Sequence, residues 1–467
     1  MRAKNWLDFQ KYAVWGAASS GLAAARLLSR LGKEVVLSDI CSLSELKRRA
    51  EGLDVELVGD RNSIAGADVI VISPGLRPSL PVFKEAARLG VPVISEVQLA
   101  MAAYPGQWVG ITGTDGKSTT TSLVGSILRA SKTTHVVAGN IGTPLTEVVA
   151  DLSEKHLVIA ELSANQLWSC EELPVTVAAF TNFAPDHQDY FENEEQYWEA
   201  KCRLLRMQRP GGVAVLPVAS DGRFALLKEE LRREGRSLFG FGHEDLIRSH
   251  GSMEDYDELY FVNSQGQGIR LRNDNEEIWL QNFDDLFLIG THNQLNCATA
   301  AAITTALGVG AMAIEAGLKS FRGLSHRMEV VATHQDLRFV NDSKATNPHA
   351  SLAGIQGLSG DLVVIAGGLD KGLSLEDWAK EVAQRAQAVV LIGDLSDKLK
   401  KMLFRFGLRA QTAETLKEAV ELAVERAKPG STILLSPASS SYDMFTSYVH
   451  RGEEFRRLVE ERINRLP

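Results

Sequence analysis

Cysteine is scarce in this chain: Cys41, Cys170, Cys202 and Cys297 are the only four in 467 residues. They lie far apart and form neither a CxxC pair nor a metal-ligand spacing, which argues against a disulfide framework and a thiolate metal site. We read them as reduced core thiols. No run approaches the roughly 18 to 20 apolar residues of a membrane span. The opening Met1-Arg2-Ala3-Lys4-Asn5-Trp6 also has no apolar stretch of the secretory kind, so a cytoplasmic address is expected, without membrane contact. An excess of positive charge is missing too. The formal net charge of -9 argues against broad binding to nucleic acid or an anionic surface, and phosphate binding then has to be local. Internal repeats and low-complexity linkers are absent as well, so short hinges are expected between domains.

What is present is an ordinary globular composition, 45% hydrophobic and 23% charged, in a chain long enough for two or three cores. Short apolar runs alternate with helical patterns over the first hundred residues: Tyr12 to Gly16, Leu22 to Leu31, Val35 to Ser38 and Val69 to Ser73. This is the rhythm of βαβ units in a parallel sheet. A second sheet is expected from Trp108-Val109-Gly110-Ile111-Thr112, continuing through 156–160 and 175–180. From about Gly211 to Leu288, stretches such as Glu258-Leu259-Tyr260-Phe261-Val262 predict antiparallel strands. Alanine-rich Asn293 to Leu307 predicts a buried helix. Beyond Phe321-Arg322-Gly323-Leu324, runs at Val340, 362–366, 388–392 and 432–435 predict a further doubly wound α/β domain.

The strongest local signal is Gly110-Ile111-Thr112-Gly113-Thr114-Asp115-Gly116-Lys117-Ser118-Thr119, between an apolar strand and a helix expected over 120–128. Glycines let backbone N–H groups turn toward phosphate oxygens, and the helix N-terminus adds partial positive charge. Lys117 neutralises the terminal phosphates and Ser118 can ligate Mg²⁺. A nucleoside triphosphate site follows. Ile111 stands where a strict Walker pattern has its first glycine, which points away from ordinary P-loop kinases.

A weaker loop, Gly16-Ala17-Ala18-Ser19-Ser20-Gly21, precedes Asp39 at the end of the next strand. Ala18 occupies the place of the second glycine of a dinucleotide fingerprint, leaving two readings open, a nucleotide diphosphate site and a structural turn. Glu161-Leu162-Ser163-Ala164-Asn165-Gln166 ends an apolar strand in a carboxylate, the usual position of a metal ligand beside a phosphate loop. Asp186-His187-Gln188-Asp189 puts an imidazole and carboxylates at the carboxyl edge of the same sheet. Each would pass singly for a solvated loop. Beside the phosphate loop they read as chemistry.

In this order, GTDGKST, ELSANQL, the His187 region, Tyr197-Trp198-Glu199-Ala200-Lys201, His292-Asn293-Gln294-Leu295-Asn296 and His326-Arg327 resemble the Mur ligase family along essentially the whole chain. Three segments beyond residue 340 look like its D-glutamate-adding branch: Asn341-Asp342-Ser343-Lys344-Ala345-Thr346-Asn347, Gly367-Gly368-Leu369-Asp370-Lys371-Gly372 and the run from Leu435 to Phe445. The resemblance implies an α/β protein of three domains: a Rossmann-like domain for the UDP substrate over 1–97, a central P-loop ATPase-like domain over 98–323 and a Rossmann-like amino-acid domain over 324–467. The central sheet would be mainly parallel with an added antiparallel sheet. Three departures stand out: Asp115 where asparagine is more familiar, a first loop reading GAASSG, and Asn165 where an aromatic would not surprise.

The implied activity is ATP-dependent addition of D-glutamate to UDP-N-acetylmuramoyl-L-alanine through an acyl phosphate, in peptidoglycan precursor synthesis and hence in cell shape and division. Implied for the UDP substrate are Ser19, Ser20, Asp39, Ser73, Pro74, Gly75, Asn140 and Gln166. The stretch from Gly113 to Thr119 (Gly113, Thr114, Asp115, Gly116, Lys117, Ser118, Thr119) would take ATP with Asn296, Arg327 and Asp342. His187, Thr346, Lys371, Ser441, Tyr442 and Tyr448 would surround D-glutamate. Two Mg²⁺ ions would be held by Ser118 and Glu161, and by His187 with Lys201 carbamylated by carbon dioxide. Lys117, Glu161, His187 and Lys201 are thus the expected catalytic set, in a monomer. The rival readings are another Mur or folylpolyglutamate-type amino-acid ligase, an NAD(P)-dependent oxidoreductase built on the first loop, and a nucleotide-binding scaffold without turnover.

Overall fold

The structure, a computed structural model, describes residues 5–64, 66–187, 190–218, 222–250, 254–288 and 290–464. It divides into two compact units, Met1–Asp284 with Leu295–Ser320, and Asp285–Gln294 with Phe321–Pro467.

The first unit opens with β1 (Lys11–Trp15), β2 (Glu34–Ser38), β3 (Glu56–Val58), β4 (Val69–Ile72) and β5 (Val93–Ser95). They form a sheet in the order β3-β2-β1-β4-β5, parallel throughout. The cause is visible in the sequence. Val14, Val36, Leu37 and 69–72 are apolar on both faces and buried, because crossover helices such as Ser19–Arg30 cover the sheet.

The second sheet of this unit has nine strands. They are β6 (Gln107–Thr112), β7 (His135–Gly139), β8 (Leu157–Glu161), β9 (Val177–Phe180), β10 (Val213–Pro217), β11 (Ser237–His243), β12 (Glu258–Val262), β13 (Gly268–Arg272) and β14 (Asn275–Leu280). Their order is β14-β13-β12-β11-β10-β9-β6-β8-β7. Here the expected antiparallel block needs correction. β10, β11 and β12 continue the parallel pairing; only β13 and β14 run antiparallel, and they extend the same sheet instead of forming an added one. The helices Gly222–Arg233 and Glu244–His250 act as crossovers that return the chain parallel, whereas the tight turn joining Asn263 to Gln267 reverses it.

One apolar cluster runs through both sheets of the unit, from Trp6, Val14 and Leu37 to Trp108, Ala160 and Leu216. The helix Thr291–Ala306 follows the expected alanine-rich stretch, with Cys297, Ala300 and Ala301 fully buried. All four cysteines are free thiols.

The second unit holds β15 (Glu329–His334), β16 (Leu337–Asn341), β17 (Leu362–Gly367), β18 (Ala388–Ile392), β19 (Gln411–Thr412) and β20 (Thr432–Leu435), ordered β15-β16-β20-β17-β18-β19. All pair in parallel except the edge strand β15. The fold is therefore α/β with three predominantly parallel sheets. Among the described residues no helix is long and apolar enough to cross a membrane.

Candidate active site

β6 ends at Thr112, and the chain turns through Gly113–Gly116 into the helix Lys117–Ala130, which starts three residues before the expected 120. Gly113 (φ +142°) and Gly116 (φ +77°) make the turn; a Cβ at Gly113 would lie 1.9 Å from Thr181 Oγ1, and one at Gly116 2.3 Å from Asn296 Oδ1. No larger residue fits at either point. The loop is pinned from the end of β9. Thr114 N–H donates to the Asn182 carbonyl (2.9 Å) and Asp115 N–H to Asn182 Oδ1 (2.9 Å), while the Asp115 carbonyl accepts from Thr181 Oγ1 (2.6 Å) and Asn182 Nδ2 (3.1 Å). Lys117 Nζ folds back onto the carbonyls of Gly113 (2.9 Å) and Thr114 (2.7 Å). Ser118 and Thr119 are buried in the first helical turn, where the helix end concentrates positive potential. Asn296 adjoins the loop by accepting from Thr120 Oγ1 at 3.3 Å.

Glu161 ends β8, in register with Ile111 of β6 and Gly139 of β7. Its carboxylate is 1% exposed; Oε1 accepts from Asn140 Nδ2 at 2.8 Å, while Oε2 is buried with no hydrogen-bond partner. Buried carboxylate oxygens are normally satisfied, and a hard cation beside the phosphate loop would satisfy this one. The residues present fit a Mg²⁺ ion in that respect. No three His, Cys, Asp or Glu side chains converge as a metal cluster among the described residues, so other oxygen donors, such as the Ser118 hydroxyl and phosphate, would have to complete the coordination.

Lys201 lies on the helix Glu194–Arg206, whose first turn is capped by Asn193 accepting from Gln196 N–H at 2.9 Å. The helix directs the lysine into the interior, 1% exposed, where Nζ donates to the Gly113 carbonyl at 2.6 Å and sits 4.5 Å from the Tyr197 ring centroid. Burial, and then the neighbouring Lys117 charge, hold its pKa well below the ordinary lysine value. His187 adopts a left-handed backbone (φ +53°), with its ring 5.6 Å from that of Tyr197 and Nε2 4.0 Å from Asp186 Oδ2. Gln188 and Asp189, which completed that run in the sequence, lie outside the described residues.

The first loop is organised by Asp39. Its Oδ2 accepts from Ala17 N–H (2.6 Å) and Oδ1 from Cys41 N–H (2.9 Å). Burial pushes this carboxyl up, but the two backbone donors outweigh it and the pKa is lowered. Ser73 Oγ donates to the Gly16 carbonyl at 3.0 Å, joining the turn at Pro74 and Gly75 to the loop. Ser19 and Asn140 are exposed and Ser20 half-buried. Gln166 is buried and caps the short helix Ala164–Leu167, its Oε1 accepting from Ser163 N–H (2.9 Å) and Oγ (3.0 Å).

In the second unit the predicted residues gather at the carboxyl ends of β16, β17 and β20, the usual binding edge of a doubly wound sheet. Asp342 Oδ2 accepts from Ser436 Oγ (3.0 Å) and Oδ1 from Met328 N–H (3.3 Å). Ser441 is buried, Arg327, Thr346 and Tyr448 are half-buried, and Lys371 and Tyr442 are exposed. Arg451, which carried no signal in the sequence, holds this edge together: buried, it donates through Nε to Ser343 Oγ (3.0 Å) and through Nη2 to the carbonyls of Ser343 (2.9 Å) and Ser439 (3.2 Å). Thr181, Asn182 and Tyr197 were likewise missed as supports of the phosphate loop, although Tyr197 stood within the quoted YWEAK run.

Residues 111–304 match the Mur ligase middle domain and residues 326–439 the Mur ligase, glutamate ligase domain. Over 97% of the chain and 98% of the relative, the sequence is 38% identical to the UDP-N-acetylmuramoylalanine--D-glutamate ligase of Desulfitobacterium hafniense strain DSM 10664 / DCB-2. The chain belongs to the Mur ligase family. A ligase of the same description from Salinibacter ruber is 35% identical over 96% of this chain and 97% of its own. The Mur ligase fold is also seen in solved structures: MurF ligase from Thermotoga maritima in complex with ADP (TM-score 0.60, 17% identity, 98% and 100% coverage) and a pseudomurein peptide ligase type C from Methanothermus fervidus (TM-score 0.59, 19% identity, 97% and 99% coverage).

Proposed function

We propose that this Mur ligase joins D-glutamate to UDP-N-acetylmuramoyl-L-alanine at the expense of ATP, in the synthesis of peptidoglycan precursors. The observation that carries the chemistry is the convergence of the phosphate loop, the Glu161 carboxylate and the buried Lys201 amine at one sheet edge. Full-length likeness to D-glutamate ligases supports the choice of amino acid.

Amide formation needs a better leaving group than oxide. An oxygen of the substrate carboxylate attacks the γ-phosphorus, the bond to ADP breaks, and an acyl phosphate results. The D-glutamate nitrogen then attacks the acyl carbon, phosphate leaves with the bonding electrons, and the nitrogen loses its proton. Positioning and charge neutralisation dominate such catalysis. Lys117 is assigned to the β and γ phosphates, which replace the Gly113 and Thr114 carbonyls as its partners, and 113–119 cradles the rest with Asn296, Arg327 and Asp342. Mg²⁺ bound here would neutralise charge developing on the transferring phosphoryl group, held by Ser118 and Glu161 at one position and by His187 and Lys201 at the other. Lowered basicity favours the neutral amine, the form that reacts with carbon dioxide: the N–C bond forms, a proton is lost, and a carbamate anion with two oxygens stands where an ammonium would repel a metal.

Ser19, Ser20, Asp39, Ser73, Pro74 and Gly75 are assigned to the UDP end, and Asn140 and Gln166 to the muramoyl-alanine portion. His187, Thr346, Lys371, Ser441, Tyr442 and Tyr448 are assigned to D-glutamate. We further propose modules at 1–97, 98–323 and 324–467, a monomeric cytoplasmic enzyme, and a place in cell-wall growth and division. Phosphate release measured with the UDP substrate, ATP, Mg²⁺ and a panel of amino acids tests the reading. Release should require D-glutamate, and equal turnover with L-glutamate, L-lysine or meso-diaminopimelate would overturn it.

A further inference from the structure

The Ser73–Leu76 turn and the His187 loop are far apart in sequence, yet one residue reaches both, the first through its side chain and the second through its backbone. Tyr190 donates its hydroxyl proton to the Leu76 carbonyl (2.5 Å), 114 residues away, and accepts from Trp168 Nε1 (3.0 Å). Leu76 N–H closes the turn onto the Ser73 carbonyl at 3.2 Å, and Ser73 is fastened to the Gly16 loop. On its other side Tyr190 is tied to His187: the His187 carbonyl accepts from the backbone N–H groups of Tyr190 (2.9 Å) and Phe191 (3.0 Å). That pair of bonds holds His187 in its left-handed conformation, one that a non-glycine residue keeps only when its surroundings impose it. Trp168 continues the chain that follows Glu161 and packs edge-on against Phe83 of the first sheet region (5.2 Å between centroids).

Burial pushes the Tyr190 phenol up to about 12, so its hydroxyl stays a donor throughout the working pH range. Leu76 is half-buried, and deleting the hydroxyl removes the side-chain donor to its carbonyl and the acceptor of the Trp168 N–H. Tyr190 and the turn are therefore mechanically joined, while the ring itself packs independently among Ala164, Phe191, Tyr197 and Ala200.

Resting on the ligase reading above, we propose that Tyr190 is a positioning residue that couples occupancy of the Ser73–Leu76 turn by the UDP-linked substrate to the placement of His187. A substrate that seats its UDP end on the turn fixes the Leu76 carbonyl. Tyr190 then carries that constraint to His187, so that the placement of His187 tightens when the UDP-linked substrate is bound.

Tyr190→Phe keeps the ring and removes the link. With UDP-N-acetylmuramoyl-L-alanine alone, the wild type should protect the Tyr190 and Phe191 amides from hydrogen exchange, and the variant should lose that substrate-dependent protection. Its kcat should fall about tenfold, the scale of a small misplacement of a catalytic group, with KM for ATP unchanged. Trp168→Phe removes a neighbouring hydrogen bond but leaves Tyr190 on Leu76, and it should retain the protection. A merely structural role would lower the melting temperature of both variants without touching the substrate-dependent exchange, and that result overturns the proposal. Normal wild-type turnover with Tyr190→Phe matching it in kcat and exchange overturns this inference alone. Absence of wild-type turnover with D-glutamate overturns the ligase reading and this inference with it.

Discussion

The Lys201 amine donates to the Gly113 carbonyl at 2.6 Å from a position 1% exposed. A lysine there is costly. Its folded-state pKa is lowered by burial and by Lys117, so its contribution to stability is present above the unfolded lysine value and is lost as pH falls toward the folded one. At neutral pH the charge favours the unfolded chain. Lys201→Met fills the same space without the charge, and Gly113 keeps Lys117 as a donor. The variant should melt higher than wild type at pH 7 while turnover is lost. Wild-type activity should fall in decarbonated buffer and recover with bicarbonate. A variant that is both active and no more stable would show that the buried amine serves packing alone.

Lys117 tests the phosphate loop separately. Its Nζ rests on two loop carbonyls, partners that phosphate oxygens would replace in the proposed reaction, where its charge would matter most while the phosphoryl group is in flight. Lys117→Ala should lower kcat at least about a hundredfold with an unchanged circular dichroism spectrum. Near-normal turnover would mean that the charge stabilising the transfer comes from elsewhere.

The contrast between these two lysines shows what the sequence could carry. The place of Lys117 is legible because it depends on neighbours within a few residues, a glycine turn between a strand and a helix. Parallel strands were legible for a similar reason, since burial on both faces leaves continuous apolar runs. The direction of β10, β11 and β12 was not, because it depends on the crossover helices between them and alternation in a single strand is silent about its partner. The supports of the site were also hidden. Asn182 reaches Asp115 across 67 residues and Arg451 reaches Ser343 across 108, and contacts at such separations leave no periodic trace. Gln166 was expected at the muramoyl-alanine end of the substrate from the resemblance alone, and the capping bond it makes to Ser163 became visible only in three dimensions.

Arg451 gives the third prediction. Burial lowers its pKa to about 10, yet its donors are spent on the segments that carry Ser343 and Ser439. Arg451→Lys keeps charge but loses the planar fork, so KM for D-glutamate should rise several-fold while KM for the UDP substrate stays put. Arg451→Ala, which strands the serine carbonyls it served, should cost about 1–3 kcal/mol of stability, the cost of a buried acceptor left unsatisfied. Equal rises in KM for both substrates under Arg451→Lys would show that the residue does not act on the amino-acid edge in particular.

The last prediction concerns Glu96, a buried carboxyl with no assigned role in the reaction. It begins the helix Glu96–Ala103, and its Oε1 accepts from both the backbone N–H and the hydroxyl of Thr146 at 2.7 Å. Its Oε2 is buried with no partner. Burial raises its pKa, against the smaller lowering effect of the Thr146 and Leu145 donors. For a carboxyl raised above its unfolded value of 4.5, the stabilising contribution is complete below that value and is lost as pH rises through the folded-state pKa, because the unfolded chain ionises first. Wild type should therefore melt at a lower temperature at pH 8 than this group alone would allow if it were neutral. Glu96→Gln supplies that neutral group at nearly the same volume, and its amide oxygen can still accept from Thr146. Calorimetric melting curves from pH 4 to pH 8 should place the variant above wild type at the alkaline end, with the gap closing toward pH 4. Parallel curves across the range would mean that Glu96 does not change its protonation on folding. A variant less stable at every pH would mean that the second oxygen has a partner as an acceptor, which an amide nitrogen cannot replace.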